Sequence, residues 1–197
     1  PAKMMLEMEE RFGVPVLDAY GMTEASHQMT SNPLPPGKRM SGTVGLGTGV
    51  SVAIMDDDGQ LLHPGTRGEV VVMGPTVIDS YEDNPEADAL SFTDGWFRTG
   101  DQGYLDPEGY LALTGRLKEL INRSGEKISP SEIDEVLLSH PATSEAVSFA
   151  MPHEIHGEEP GAAVVLNSHV TEQELLRHCR EHLANFKVPR AIFIVDA

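Results

Sequence analysis

The chain has 197 residues, 40% of them hydrophobic, which is apolar material enough for one large domain or two modest ones. Its 14 Lys and Arg against 31 Asp and Glu give a net charge of -17, which repels nucleic acid and anionic membranes and excludes a binding role on either. The single cysteine, Cys179, rules out an internal disulfide and fits a reducing compartment, no apolar run approaches the roughly 20 residues that cross a membrane, and a cytoplasmic location is expected.

Taken in chain order, Lys3 to Phe12 sets Met4, Met5, Leu6, Met8 and Phe12 among charged residues and stops at Gly13, the pattern of a short amphipathic helix. Val14 to Tyr20 reads as a buried strand. Ser31 to Gly42 reads as a loop, with turn chemistry at Asn32-Pro33 and Pro35-Pro36-Gly37. Short strands and frequent turns follow. Ser51 to Met55 and Leu61-Leu62 flank Asp57-Asp58-Gly59-Gln60 as a hairpin, Glu69 to Met73 is a β-branched strand, and a short helix is expected near Asn84 to Leu90. Tyr104-Leu105 and Tyr110 to Leu113 flank Asp106-Pro107-Glu108-Gly109 as a second hairpin. After residue 130 the order changes: helix Ser131 to Ser139, strands Glu145 to Ala150 and Gly161 to Leu166, helix Glu172 to Ala184, and strand Ala191 to Val195. The first half is expected to be β-rich and the second a small α+β unit.

Between the halves lies Gly115-Arg116-Leu117-Lys118-Glu119-Leu120-Ile121-Asn122-Arg123-Ser124-Gly125. Basic residues flank a short apolar strand, and Ser124-Gly125 turns the chain. A basic, glycine-punctuated joint of this kind suits a phosphate-bearing ligand held where two domains meet.

Two further segments carry chemistry. In Tyr20-Gly21-Met22-Thr23-Glu24 the glycine admits close backbone approach, the Thr hydroxyl suits a phosphate oxygen, and the carboxylate suits Mg²⁺, a hard cation that takes oxygen ligands. Tyr20 offers a flat face to a base. The competing reading is an ordinary strand-to-loop turn with an exposed Glu. In Trp96-Phe97-Arg98-Thr99-Gly100-Asp101 an aromatic pair precedes a tight turn and a carboxylate that can accept both hydroxyls of a ribose, or else simply cap the turn. Gly68-Glu69, leading its strand to Gly74-Pro75, reads as structural.

The ordered set of these segments resembles the adenylate-forming superfamily of acyl-CoA synthetases, luciferases and peptide-synthetase adenylation domains. Tyr20 to Glu24 resembles its Tyr-Gly-x-Thr-Glu signature, Phe97 to Asp101 its (Tyr/Phe)-Arg-Thr-Gly-Asp signature, and Gly115-Arg116-x-Lys118-Glu119 its hinge signature. The resemblance implies a mixed α/β and α+β fold: the end of a large N-terminal domain with a β-rich subdomain over 1–115, a hinge at 116–118, and a small α+β C-terminal domain over 119–197. It implies ATP-dependent activation of a carboxylic acid to an acyl-adenylate, then transfer to the thiol of CoA after rotation about the hinge. By matching position, Tyr20, Gly21, Thr23, Asp101 and Arg116 would bind ATP or AMP, and Glu24 would hold Mg²⁺. Thr23, Glu24 and the hinge residue Lys118 would serve catalysis, and Gly125 would line the CoA tunnel.

The stretch Asn122 to Pro130 is similar to the acyl-CoA synthetase branch rather than the peptide-synthetase one. Met22 to Met29, followed by Ser31-Asn32-Pro33-Leu34-Pro35, resembles oxalate–CoA ligases of plants and fungi. His27 would then hydrogen-bond or attract the second carboxylate of a small diacid; the alternatives are a loop histidine or the wall of a fatty-acid pocket. An aryl or luciferase-type acid, and a truncated module that binds nucleotide or a partner without catalysis, are the competing functions.

The chain opens on Pro1-Ala2-Lys3 without an initiator Met or a signal peptide, so a longer parent is expected. The Gly-rich phosphate loop is expected before Pro1. The C-terminal Pro-Lys-x-x-x-Gly-Lys element is expected after Ala197, and Lys187-Val188-Pro189-Arg190 resembles the stretch that precedes it. These 197 residues alone are therefore expected to give no ATP–pyrophosphate exchange. His178 and His182 stand at metal-pair spacing on a polar helix face with no third ligand expected nearby, and His153 to His156, followed by Gly157 and Pro160, reads as a loop. Cys179 reads as packing.

Overall fold

The computed structural model describes residues 2–196 and divides the chain into two compact units, Pro1–Leu113 and Thr114–Ala197. In the first, the helical period of the opening residues becomes α1 (Ala2–Phe12), closed where the Gly13 N–H bonds the Glu9 carbonyl at 2.9 Å. The expected strand from Val14 does not follow. Val14 is 55% exposed, Pro15 has no N–H to give to a ladder, and the Val16 N–H goes to the Glu9 side chain at 2.8 Å. The strand starts later, as β1 (Ala19–Met22), and pairs antiparallel with β2 (His27–Ser31), which pairs with the short β3 (Leu46–Gly47).

Five strands form the main sheet of this unit: β4 (Ser51–Met55), β5 (Gly68–Met73), β6 (Phe92–Thr93), β7 (Trp96–Leu105) and β8 (Leu111–Arg116), in order β4-β5-β7-β6 with β8 also on β7. The expected tight hairpin after β4 closes only as an isolated bridge between Met55 and Leu61, and the full ladder partner of β4 is β5. The β-branched run Val70-Val71-Val72 is completely buried, which is why β5 can be central. The hairpin between β7 and β8 forms as expected, its turn held by the Asp106 carboxylate accepting the Glu108 and Tyr110 N–H groups at 2.9 and 2.8 Å. Between β5 and β6, α2 (Pro85–Ser91) starts on Asn84, whose side chain accepts the Ala87 N–H at 3.1 Å. A core of Ala25, Met29, Val50, Val72 and Phe97 packs the β1–β2 hairpin against the main sheet.

In the second unit β9 (Ile121–Arg123) and β10 (Glu126–Ile128) make a small hairpin, followed by α3 (Pro130–Ser139), β11 (Thr143–His153), β12 (Gly157–Leu166), α4 (Glu172–His182) and β13 (Ala191–Ile194). The sheet order is β10-β9-β12-β11, with β13 parallel to β12. The loop expected at His153 to His156 is the turn at residues 154–156 that joins β11 to β12, with His153 still on β11. Gly157 and Pro160 themselves are in strand, Ala150 pairing with Pro160 and His153 with Gly157, and the Pro160 carbonyl accepts the Arg190 N–H at 2.8 Å. Pairing with neighbouring strands overrides the local turn signals of Gly and Pro. Ile133 and Leu137 of α3 and Leu175 and Cys179 of α4 are fully buried against Ile121, Ile128, Ala162 and Val164 of the sheet. Each large side chain so buried stabilises the unit by about 1.5–3 kcal/mol. Among the described residues, no helix is long and apolar enough to cross a membrane.

Candidate active site

The Tyr20-to-Glu24 segment is the end of a hairpin rather than a turn after a strand. Tyr20, Gly21 and Met22 belong to β1, Met22 pairs with His27 across the base, and Thr23–Ala25 form one 3₁₀ turn at the tip. Two residues without the licence of glycine, Ser26 and His27, have φ of 53° and 82°, a strained pair that closes the loop. The strain is held because Ala25 and Met29 are fully buried on either side and the Ile78 N–H bonds the Glu24 carbonyl at 2.8 Å. Gly21 is required here by its own fold: a Cβ at that position would stand 1.7 Å from the His27 carbonyl oxygen. The Thr23 and His27 side chains are exposed and Glu24 is half-buried, so the tip presents a hydroxyl, a carboxylate and an imidazole. The Tyr81 hydroxyl donates to Glu24 Oε1 at 3.2 Å. Burial first, then the Glu24 charge, push the Tyr81 hydroxyl above its ordinary value, so it stays a donor.

The Phe97-to-Asp101 segment is a bulge inside β7, where a tight turn was expected. Val71 faces Arg98 and Glu69 faces Gln102, so Thr99, Gly100 and Asp101 together oppose only Val70. Gly100 makes this possible with φ of 73°. The Thr99 hydroxyl donates to the Val70 carbonyl at 2.7 Å, and the Asp101 N–H donates to Thr99 Oγ1 at 3.1 Å. Asp101 is 7% exposed, and its Oδ2 accepts the Tyr20 hydroxyl. The fold thus joins two segments 81 residues apart in sequence.

Arg116, Lys118 and Gly125 lie in the second unit. Arg116 ends β8, Lys118 stands in the 3₁₀ turn Leu117–Glu119, and both are exposed. The apolar strand expected here is split, half becoming that turn and half β9. Ser124-Gly125 is the two-residue turn between β9 and β10, with φ of 52° and 93°, and Asn122 Oδ1 accepts the Gly125 N–H at 3.0 Å.

Comparison with known proteins decides what this arrangement belongs to. Residues 1–82 match the model of the AMP-binding enzymes, and residues 132–197 match that of the AMP-binding enzyme C-terminal domain. The chain belongs to the AMP-binding enzyme family. It is 54% identical over 194 residues to an oxalate–CoA ligase of Saccharomyces cerevisiae, covering 96% of this chain and 36% of the relative. Against an oxalate–CoA ligase of Arabidopsis thaliana the identity is 50%, covering 98% and 38%. The o-succinylbenzoate CoA synthetase of Bacillus subtilis, solved with its acyl-adenylate intermediate, superposes with a TM-score of 0.86 at 38% identity, over 98% of this chain and 40% of that one. The chain therefore spans about two fifths of the length of the proteins it matches.

Three residues that hold these segments are not among the candidates that the sequence offers. Tyr81 gave no local signal. Arg98 was passed over inside its signature. Glu69 was set aside as structural, although a carboxylate beside three buried valines requires a partner. The histidine groups are engaged elsewhere. His178, His182 and Glu181 do bring their ligand atoms within 4.8 Å of one another, so the expected lack of a third group does not hold. Nε2 of His178 nevertheless lies 3.0 Å from the Val136 carbonyl and 2.8 Å from Ser139 Oγ, tying α4 to α3. His153, His156 and Glu159 also converge, but Arg123 and Arg190 already stand 3.4 and 3.3 Å from the Glu159 carboxylate. Burial pushes the Cys179 thiol up to about 11, so it is no nucleophile.

Proposed function

We propose that this chain is the C-terminal part of an AMP-forming acid–CoA ligase whose acid is oxalate or another small acid with a second anionic group. The observation that carries this is the convergence of Tyr20 and Asp101 beside the Thr23–Glu24 loop tip. The residues fit their ligands chemically: Glu24 offers oxygen donors to a hard cation, Thr23 a free-standing hydroxyl, and Asp101 a carboxylate already oriented by Tyr20. Mg²⁺, when bound, would screen charge on the phosphates of ATP.

In the first half-reaction the acid's carboxylate oxygen attacks the α-phosphorus and the bond to pyrophosphate breaks. Thr23 would hydrogen-bond the phosphate, Glu24 would hold the cation while Tyr81 fixes its carboxylate, Gly21 lets the His27 backbone close the hairpin behind them, and Tyr20 would lie along the base. Asp101 would take the ribose hydroxyls. In the second, the CoA thiol attacks the acyl carbon and AMP leaves. The chain divides for this purpose into 1–115, a hinge at 116–118 with Lys118 as pivot, and 119–197, whose Gly125 turn borders the thiol's path. Closure of this kind keeps water from a labile adenylate.

Both named relatives act on oxalate, and o-succinylbenzoate is likewise a diacid, which supports a doubly charged substrate. His27, at the base of the loop tip, is the group that would meet the second charge. In the complete gene product, His27→Ala should raise KM for oxalate about tenfold, the size of one charged hydrogen bond, with kcat nearly unchanged. Full oxalate activity in that variant, or a wild-type enzyme that accepts only monocarboxylates, would sink the diacid assignment.

A further inference from the structure

The buried pair of Glu69 and Arg98 has no place in the chemistry above, yet it grips the bulge that carries Asp101. Glu69 is 7% exposed. Its Oε2 accepts Arg98 Nε at 2.8 Å and stands 2.6 Å from the second guanidinium nitrogen, a two-pronged contact. Its Oε1 accepts the Gly100 N–H at 2.9 Å. One carboxylate therefore holds the residue that enters the bulge and the residue at its apex. The Thr99 hydroxyl also clasps the bulge, between the Val70 carbonyl and the Asp101 N–H.

A bulge of three residues opposite one has no ladder of its own to fix it. A Cβ at Gly100 would meet nothing within 4 Å, so no side chain packs over the apex on that side. The Glu69 carboxylate grips the apex itself, through the Gly100 N–H. If that grip loosens, the Asp101 backbone shifts, and with it the carboxylate that Tyr20 contacts. We infer that Glu69 is the positioning residue for Asp101, stapling the β7 bulge so that the Asp101 carboxylate is preset for the ribose of the nucleotide. This rests on the reading of Asp101 as a nucleotide ligand. The role is one of geometry, since Glu69 faces the bulge backbone and Arg98 rather than the ligand.

The test uses the complete gene product and follows AMP formation with the acid and CoA. Glu69→Gln keeps an oxygen for the Gly100 N–H but gives up the charged grip on Arg98. It should raise KM for ATP about tenfold while leaving KM for the acid and kcat at saturating ATP within about twofold. Asp101→Asn should also raise KM for ATP, and the double variant should be no worse than Asp101→Asn alone, because both act through one carboxylate. Should Glu69→Gln fail to fold, the paired change Glu69→Gln with Arg98→Met removes the unpaired buried charge and should show the same split. An unchanged KM for ATP, an equal rise in KM for ATP and acid, or additive effects with Asp101→Asn would overturn the inference. A wild-type enzyme that forms no AMP with any acid would instead overturn the proposed function, and the two failures are thus separable.

Discussion

Glu24 and Tyr81 meet at 3.2 Å across 57 residues of sequence, and their contact defines what a single residue contributes to this site. If Glu24 holds a cation as proposed, an oxygen already fixed by Tyr81 lowers the freedom lost on binding. Tyr81→Phe should therefore raise the Mg²⁺ concentration for half-maximal AMP formation about threefold, with kcat at saturating Mg²⁺ nearly unchanged. A magnesium titration of the variant checks this, and an unmoved midpoint would remove Tyr81 from the account. At this scale the sequence offers its candidates where residues stand next to one another. Tyr20, Thr23, Glu24, Asp101, Arg116 and Lys118 stand in short ordered strings. Tyr81 and Glu69 were not legible, because each acts on a partner far along the chain that only the sheet brings near. Gly21 was legible as special, but the close approach it permits inside this fold is that of the His27 backbone.

Among elements, several were readable: α2 near Asn84 to Leu90, the β7–β8 turn from Asp106 to Gly109, and α4 from Glu172. Those decided by neighbours were misread. The bulge in β7 appeared as a turn because Gly100 signals φ without saying that a strand continues on both sides. Val14 to Asp18 appeared as a strand because its apolar residues outweighed the missing N–H of Pro15. The cap of α4 offers a direct check. Thr171 Oγ1 accepts the Glu174 N–H at 3.3 Å, and the Glu174 carboxylate accepts the Thr171 N–H at 3.0 Å. Thr171→Ala should cost about 1 kcal/mol in urea unfolding at neutral pH. The Thr171 hydroxyl and N–H hold the Glu174 carboxyl below its ordinary value of 4.5, so its contribution is present above that value and lost as pH falls through the lower folded one. The penalty of Thr171→Ala should accordingly shrink in acid. A penalty that stays constant down to the acid limit would show that the box is not formed.

The molecule as a whole is two units in one chain, each with its own core, and their family membership fixes what they are parts of. The first carries the hairpin tip, the Tyr20–Asp101 contact and the clasped bulge. The second carries Arg116, Lys118 and the Ser124-Gly125 turn. This division is compatible with the proposed ligase, which would activate an acid with ATP and then hand it to a thiol. The ordered signatures made the family membership visible in the sequence. The most direct measurement is the nucleotide product formed by the complete gene product supplied with ATP, Mg²⁺, CoA and oxalate. AMP and pyrophosphate should appear in equal amounts with each thioester formed. ADP and phosphate in their place, or no acid-dependent turnover of ATP by the folded enzyme with any acid, would contradict the account.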